Sequence, residues 1–406
     1  MTELAADTLV LVLPGGVSLR AWAESGLLAR EWALYEGLQE HYQRVVVVTY
    51  GDAADPEALR ACLSPAMAAK VQVISNTHGL GTHDVTASIS LRVAQACAES
   101  AAVVVKTHQM IRSDVAVSIT ESLRARGVAV GLVARGAHLW TRFVAFEHGT
   151  ESPQAVAAAV QEGNLCRGAD VVVGTTREMV EDLAWRYGLE ASRCAVVPNY
   201  VVTSAEPKAP SEREPGLLVF SGKLVARKRV GILIQAVAQL PEETRSKVLL
   251  RIVGDGPERV NLEAMAKELG APVEFVPRVN HSDLITLFSS CTLFVQASEL
   301  EGHPVTVLEA MASGAAVLVA NSQGLGSIVT HGMNGLRIEA SPEAFATAID
   351  ELLRDADWRE VIGTAAANTT RAEFGLSTVL PQELRVHQRA LTLGAAKTTW
   401  KLRASA

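Results

Sequence analysis

The chain has 406 residues, 49% hydrophobic and 20% charged, an ordinary globular composition that excludes a disordered or low-complexity protein. At roughly 100 to 200 residues per domain it holds two or three domains, each able to build its own core. A formal net charge of -7 and the lack of any long Lys/Arg run exclude nucleic acid as a bulk electrostatic partner and point to a small ligand held by local contacts.

The first apolar run, Thr8 to Leu13, follows Glu3 and Asp7 and is too short for a signal peptide or a membrane span, so the sequence reads as cytoplasmic. Apolar runs predicted as strands follow in chain order at 9–14, 44–50, 71–75, 102–106, 128–134, 170–175 and 194–198. A second series lies at 217–222, 248–254, 273–277, 291–297 and 315–320. Val and Ile dominate them without strict alternation, the pattern of parallel strands covered on both faces by crossover helices, and stretches of helical length separate them. The class is α/β, doubly wound. Scattered Cys62, Cys97, Cys166, Cys194 and Cys291 show no C-x-x-C spacing and read as buried hydrophobes, not as a metal site or disulfide frame.

The pattern lapses at TSAEPKAPSEREPG, 203–216, the best linker in the chain. Two Rossmann-like domains are expected, 1–205 and 217–375, joined by 206–216, with 376–406 forming a C-terminal helix that packs back on the N-terminal domain. Each opens with a strand that runs into glycine, LPGG at Leu13–Gly16 and FSGK at Phe220–Lys223. The ligand then belongs in a central cleft at the carboxyl ends of the strands.

Three stretches of the second half carry chemistry. In FSGKLVARKRVGILIQA a strand ends at Gly222 and Lys223 and Lys228 precede a helix, which suits a diphosphate but equally a solvated basic loop. RIVGDGPE brings a strand to Gly254 and Gly256, either a plain tight turn or a loop against a nucleotide. In SELEGHPVTVLEAMASG, Pro304 marks a helix start whose amides favour an anion, with Glu301 before it and Glu309 one turn and more into it. Two carboxylates so placed can hold sugar or ribose hydroxyls, or stand as ordinary surface glutamates.

Ser298, Glu301, Gly302, Pro304, Glu309, Ala310, Met311, Ala312 and Gly314 resemble the E-x7-E signature of the family 4 retaining glycosyltransferases of the GT-B fold, also called group 1. Gly222-Lys223-Leu224 with Lys228 resembles that family's G-R-L-x-x-x-K loop, Gly254-Asp255-Gly256-Pro257 its G-x-G-P turn, Val197-Pro198-Asn199 its I-P-N-G segment, and Gly332-x-Asn334-Gly335 its H-G-x-N-G-L. The resemblance implies that Lys223 and Lys228 bind the donor diphosphate and Glu309 the ribose. It implies that Glu301, with backbone from Gly302 through His303 and Pro304 to Val305, meets the transferred sugar. Ala316 and Ser327 depart from it, standing where the family has proline and often glutamate.

In the first half, GGVSLRAWAESGLLAREWALY, KTHQ and ARGAHLW resemble a subgroup with S-L-R-x-W…R-E-x-x-L-Y, K-T-N-Q and R-C-G-Y-L-W. The Gly15 and Gly16 amides would then face the diphosphate, and Arg135 and His138, just past a strand end, would lie beside the reacting sugar; His108 is a weaker candidate. Asp355-Ala356-Asp357 reads as a helix cap and not a metal site. The basic tail, Lys397, Lys401 and Arg403 around Trp400, allows at most peripheral contact with the inner membrane face.

The resemblance thus implies a metal-independent retaining glycosyltransferase with no tightly bound cofactor. Its co-substrate is a nucleotide-diphosphate sugar, UDP by family prior, and its acceptor a glycan, lipid-linked or small-molecule hydroxyl, as in bacterial polysaccharide or glycoconjugate synthesis. The alternatives are glycosylation of a small-molecule natural product and a GT-B sugar phosphorylase.

Overall fold

The computed structural model describes residues 6–76, 82–113, 115–202 and 212–404. Most of the linker expected at 206–216 lies outside them, as do the side chains of Trp400, Lys401 and Arg403. The chain forms two compact units, Met1–Pro198 with Val379–Ala406, and Asn199–Thr378.

In the first unit β1 (Thr8–Val12), β2 (Arg44–Val48), β3 (Val71–Ile74), β4 (Ala102–Thr107), β5 (Ala129–Arg135), β6 (Val171–Gly174) and β7 (Cys194–Val196) form one sheet, ordered β3-β2-β1-β4-β5-β6-β7. In the second, β8 (Leu217–Ser221), β9 (Leu249–Val253), β10 (Val273–Val276), β11 (Leu293–Gln296), β12 (Ala316–Ala320) and β13 (Leu336–Ile338) are ordered β10-β9-β8-β11-β12-β13. Every pairing is parallel. The Val/Ile runs lie at the sheet centres because helices on both faces leave no position wet: all of β1, β8 and β12 is buried. Each predicted strand is present, and β13 is an addition. Its three residues, LRI, make an edge strand too short to register as an apolar run.

Strand order reverses beside the first strand of each unit, between β1 and β4 and between β8 and β11. Loops on the two sides of such a point diverge and leave a crevice at the carboxyl ends, where doubly wound sheets take their ligands.

The helix Leu376–Ala404 belongs, from Val379 onward, to the first unit and carries one of its fully buried charges. Glu383, fully buried, accepts from Lys106 Nζ at 2.8 Å and from Arg135 Nε at 3.0 Å, joining the carboxyl ends of β4 and β5 to the helix. One turn on, His387 lies 3.7 Å from Glu383 and its Nδ1 hydrogen-bonds the Tyr42 hydroxyl at 2.8 Å. Burial by itself would raise the Glu383 carboxyl, but Lys106, Arg135 and His387 hold it at about 2. Burial pushes His387 down to about 3. Further along, Lys397 pairs with the buried Asp170 at 2.7 Å, so this lysine of the expected basic tail is tied to the sheet. Asp355 caps the helix Ala356–Phe374 through Trp358 N at 2.8 Å.

Candidate functional site

The loops after β8 and β11, on the two sides of the second unit's reversal point, are stitched together by charge. After Gly222 the chain makes a short turn, Ala226–Lys228, and passes through Arg229 in the left-handed region (φ 47°) into the helix Val230–Ala238. That turn buries Lys228 and brings its Nζ to 2.5 Å from Glu301 Oε1. The Gln296 amide, at the end of β11, donates to the same oxygen at 2.9 Å. Arg227 reaches the other at 3.6 Å and also donates to the Leu300 carbonyl at 3.2 Å. Arg229 pairs with Glu299, whose N–H donates to the Arg227 carbonyl at 2.8 Å. Glu301 is thus held by two hydrogen bonds and an ion pair. The Lys228 ammonium lies beside Gly222, and Lys223 points outward, exposed.

Two neighbouring turns brace these loops, and both need glycine. A Cβ on Gly254 (φ 142°) would fall 2.0 Å from the Gly222 carbonyl, so the turn through Gly256 lies backbone to backbone on the β8 loop, with Leu224 N donating to Asp255 O at 2.8 Å. A Cβ on Gly324 (φ 86°), after β12, would fall 2.3 Å from the Glu301 carbonyl and 2.4 Å from that of Gly302. Ser327, at the position where glutamate is common in the resembling family, donates to the Gly324 carbonyl at 2.8 Å. Gly324→Ala should therefore cost about 1–3 kcal/mol in urea denaturation, since strain and collision add. Gly332→Ala, at the similar φ of 76° with open space around it, serves as the comparison and should cost less.

Pro304 caps the helix Val305–Ala312 with no side-chain hydrogen bond, so that helix start offers backbone N–H groups. His303 is buried, its ring edge-on to Phe374 with centroids 5.2 Å apart, and its carbonyl accepts from Asn199 Nδ2 at 2.7 Å. Glu309 lies within the helix, buried, with Oε1 2.8 Å from His281 Nε2. Sequence reasoning missed Arg227, Gln296 and His281. Arg227 is hidden in a basic tripeptide, Gln296 ends an apolar strand, and His281 only follows a helix cap, so no periodicity marks them.

In the first unit the expectation for Gly15 needs correction. Its N–H donates to the Ile111 carbonyl at 3.0 Å, because Arg112 in the left-handed region (φ 47°) turns the β4 loop beneath it, so the amide cannot face an anion. Gly16 follows at φ 85° with open space around it. Arg135 stands at the end of β5, but its guanidinium is turned onto Glu383. The His138 ring packs edge-on to Phe143 at 4.7 Å. His108 is more deeply set: Nδ1 hydrogen-bonds Tyr35 Oη at 2.7 Å, Nε2 lies 3.5 Å from Glu31 Oε2, and Trp22 packs edge-on at 5.0 Å. Burial pushes its pKa down to about 4 although Glu31 opposes, so this imidazole is neutral near pH 7. Among the described residues no helix is long and apolar enough to cross a membrane.

Two parallel-sheet Rossmann-like units, with charged loops at the reversal point of the second, define the GT-B class of fold. The structure superposes on Anabaena Alr3699/HepE, solved in complex with UDP, with a TM-score of 0.71 at 20% identity over 93% of this chain and 98% of that one. Residues 25–200 match the glycosyl transferase 4-like domain and residues 202–369 the glycosyl transferases group 1. The chain belongs to the group 1 glycosyltransferases. It is 28% identical over 256 residues to a D-inositol 3-phosphate glycosyltransferase of Xylanimonas cellulosilytica, covering 59% of this chain and 61% of that enzyme. It is 27% identical over 224 residues to the lipopolysaccharide core biosynthesis glycosyltransferase LpsE of Rhizobium meliloti, covering 54% and 64%. The match thus spans about three-fifths of the length of these curated relatives.

Proposed function

We propose that the chain is a retaining, metal-independent glycosyltransferase that moves a sugar from a nucleoside diphosphate donor, UDP in the first instance, to a hydroxyl of a bacterial glycan or glycoconjugate. The observation that carries the reading is the meeting of Lys228 and Glu301 at the reversal point of the second sheet, between a glycine turn and a helix start. Lys228, with Lys223 and the amides at Val305, neutralises the diphosphate as it leaves. Glu309 holds the ribose, and Glu301 with the backbone of Gly302 to Pro304 borders the transferred sugar. The turn at Gly254 and Gly256 lies against the nucleotide. HepE's complex with UDP supports the donor class, and the role of LpsE in lipopolysaccharide core synthesis supports a glycan acceptor.

Thermal denaturation with a panel of nucleoside diphosphates tests the reading. A ligand at 100 times its Kd adds about 2.7 kcal/mol, which for a domain of this size raises Tm by about 5–10 °C. UDP should give the largest rise; no rise with any nucleotide would discard the donor site. Retention of the donor's anomeric configuration in the product, read by NMR, tests the stereochemistry.

A further inference from the structure

The helix Val305–Ala312 is apolar, and Val307, Leu308, Ala310 and Met311 on it are fully buried. Glu309, among them, is only 4% exposed. A carboxylate taken this far from water needs a donor aimed at it, and one comes from the neighbouring helix His281–Ser290, whose first residue sets Nε2 2.8 Å from Glu309 Oε1. The imidazole is itself held in place. Asn280 caps the helix through Asp283 N at 2.9 Å, which fixes where the first turn begins. At the far end Arg213 ties both helices together, donating to the Phe288 and Cys291 carbonyls at 3.3 and 3.0 Å and to the Ser313 carbonyl at 2.7 Å. The two helices are clamped at their carboxyl ends and bridged by His281 and Glu309 nearer their starts, so the carboxylate has little freedom to rotate.

We infer that His281 is the positioning residue for the ribose-binding carboxylate: its Nε2–H fixes the rotamer of Glu309, and the pair makes the site discriminate a ribonucleoside diphosphate from its deoxy counterpart. This rests on the reading that Glu309 holds the ribose hydroxyls, and it does not depend on the identity of the base. A pair serving only the packing of two helices would contribute to stability and leave ribose discrimination alone. Gln can place an amide N–H near the position of Nε2, whereas Asn reaches only about as far as Nδ1.

The test is calorimetric titration of the full chain with UDP, ADP, GDP and CDP, then with the 2′-deoxy and 3′-deoxy forms of the tightest. The proteins are wild type, His281→Ala, His281→Gln, His281→Asn and Glu309→Ala. Wild type is expected to bind the ribonucleotide more tightly than at least one deoxy form. His281→Ala should weaken ribonucleotide binding about tenfold while leaving the deoxy form nearly unchanged, the usual scale for a hydrogen bond to a charged group. Glu309→Ala should do the same, His281→Gln should restore most of the ratio, and His281→Asn should not. If Glu309→Ala flattens the ratio and His281→Ala keeps it, the ribose reading stands and the role of His281 is overturned. The same follows if Gln and Asn behave alike, a comparison that holds even where the alanine variant fails to fold. If wild type binds no ribonucleoside diphosphate, the donor site and this inference fall together.

Discussion

Glu383→Ala should destabilise the first unit by about 3–5 kcal/mol, a large fraction of what holds a domain folded. The carboxylate is fully buried and receives Lys106 at 2.8 Å and Arg135 at 3.0 Å. Removing it takes from Lys106 and Arg135 the buried carboxylate that both donate to, which is far costlier than never having had the cluster. Urea denaturation followed by circular dichroism measures the loss, and a change below about 1 kcal/mol would show the cluster to be dispensable. Pairing Glu383→Ala with Lys106→Met should recover part of the loss, since one of the stranded charges goes as well.

The same cluster sets an acid limb on stability. The Glu383 carboxyl, ordinarily near 4.5, is held at about 2 in the folded chain, so its contribution is complete above the unfolded value and is lost as pH falls from 4.5 toward 2. His387 and His108, driven by burial from 6.5 to about 3 and about 4, act earlier. Below pH 6.5 the unfolded chain binds protons that these native imidazoles refuse, so stability already declines there. Glu383→Gln should keep the histidine limb and lose the carboxylate limb.

Much of the fold was legible because doubly wound sheets bury both faces of their strands, and unbroken apolar runs such as VVVV in β2 and AVLVA in β12 announce that. The edge strand Leu336–Ile338, three residues with one buried, announces nothing. In the proposed site, the turns and the helix start carry local signals: glycine where backbone meets backbone at Gly254, proline before the helix at Pro304. The residues that hold side chains in place carry none, and most come from distant segments. Gln296 and Arg227 brace Glu301, His281 meets Glu309 across 28 positions, and Glu383 meets Arg135 across 248. The sequence shows an arginine at a strand end, and only the fold shows that a carboxylate near the far terminus has claimed it. Gly15 fails for the same reason, since the carbonyl that takes its N–H belongs to Ile111, on a loop after another strand.

Lys228→Ala should lower kcat about a hundredfold or more while changing nucleoside diphosphate affinity less, the scale of losing one preorganised donor to developing charge. Lys228 is 7% exposed, so the field of its ammonium at a departing diphosphate would be little screened, and its place is fixed by Glu301 and by the left-handed turn at Arg229. Lys223, exposed, should matter only a few-fold when removed, because a solvated charge is weakened by water and salt. Glu301→Gln separates holding from reacting. It strips the counter-charge from Lys228 and Arg227, so nucleoside diphosphate should bind more tightly, yet turnover should fall because the ammonium is no longer fixed and the product leaves more slowly. Calorimetry gives the first and the rate of nucleoside diphosphate release the second. Weaker diphosphate binding in Glu301→Gln would mean that Glu301 does not restrain these cations, and unchanged kcat in Lys228→Ala would remove that lysine from the leaving group.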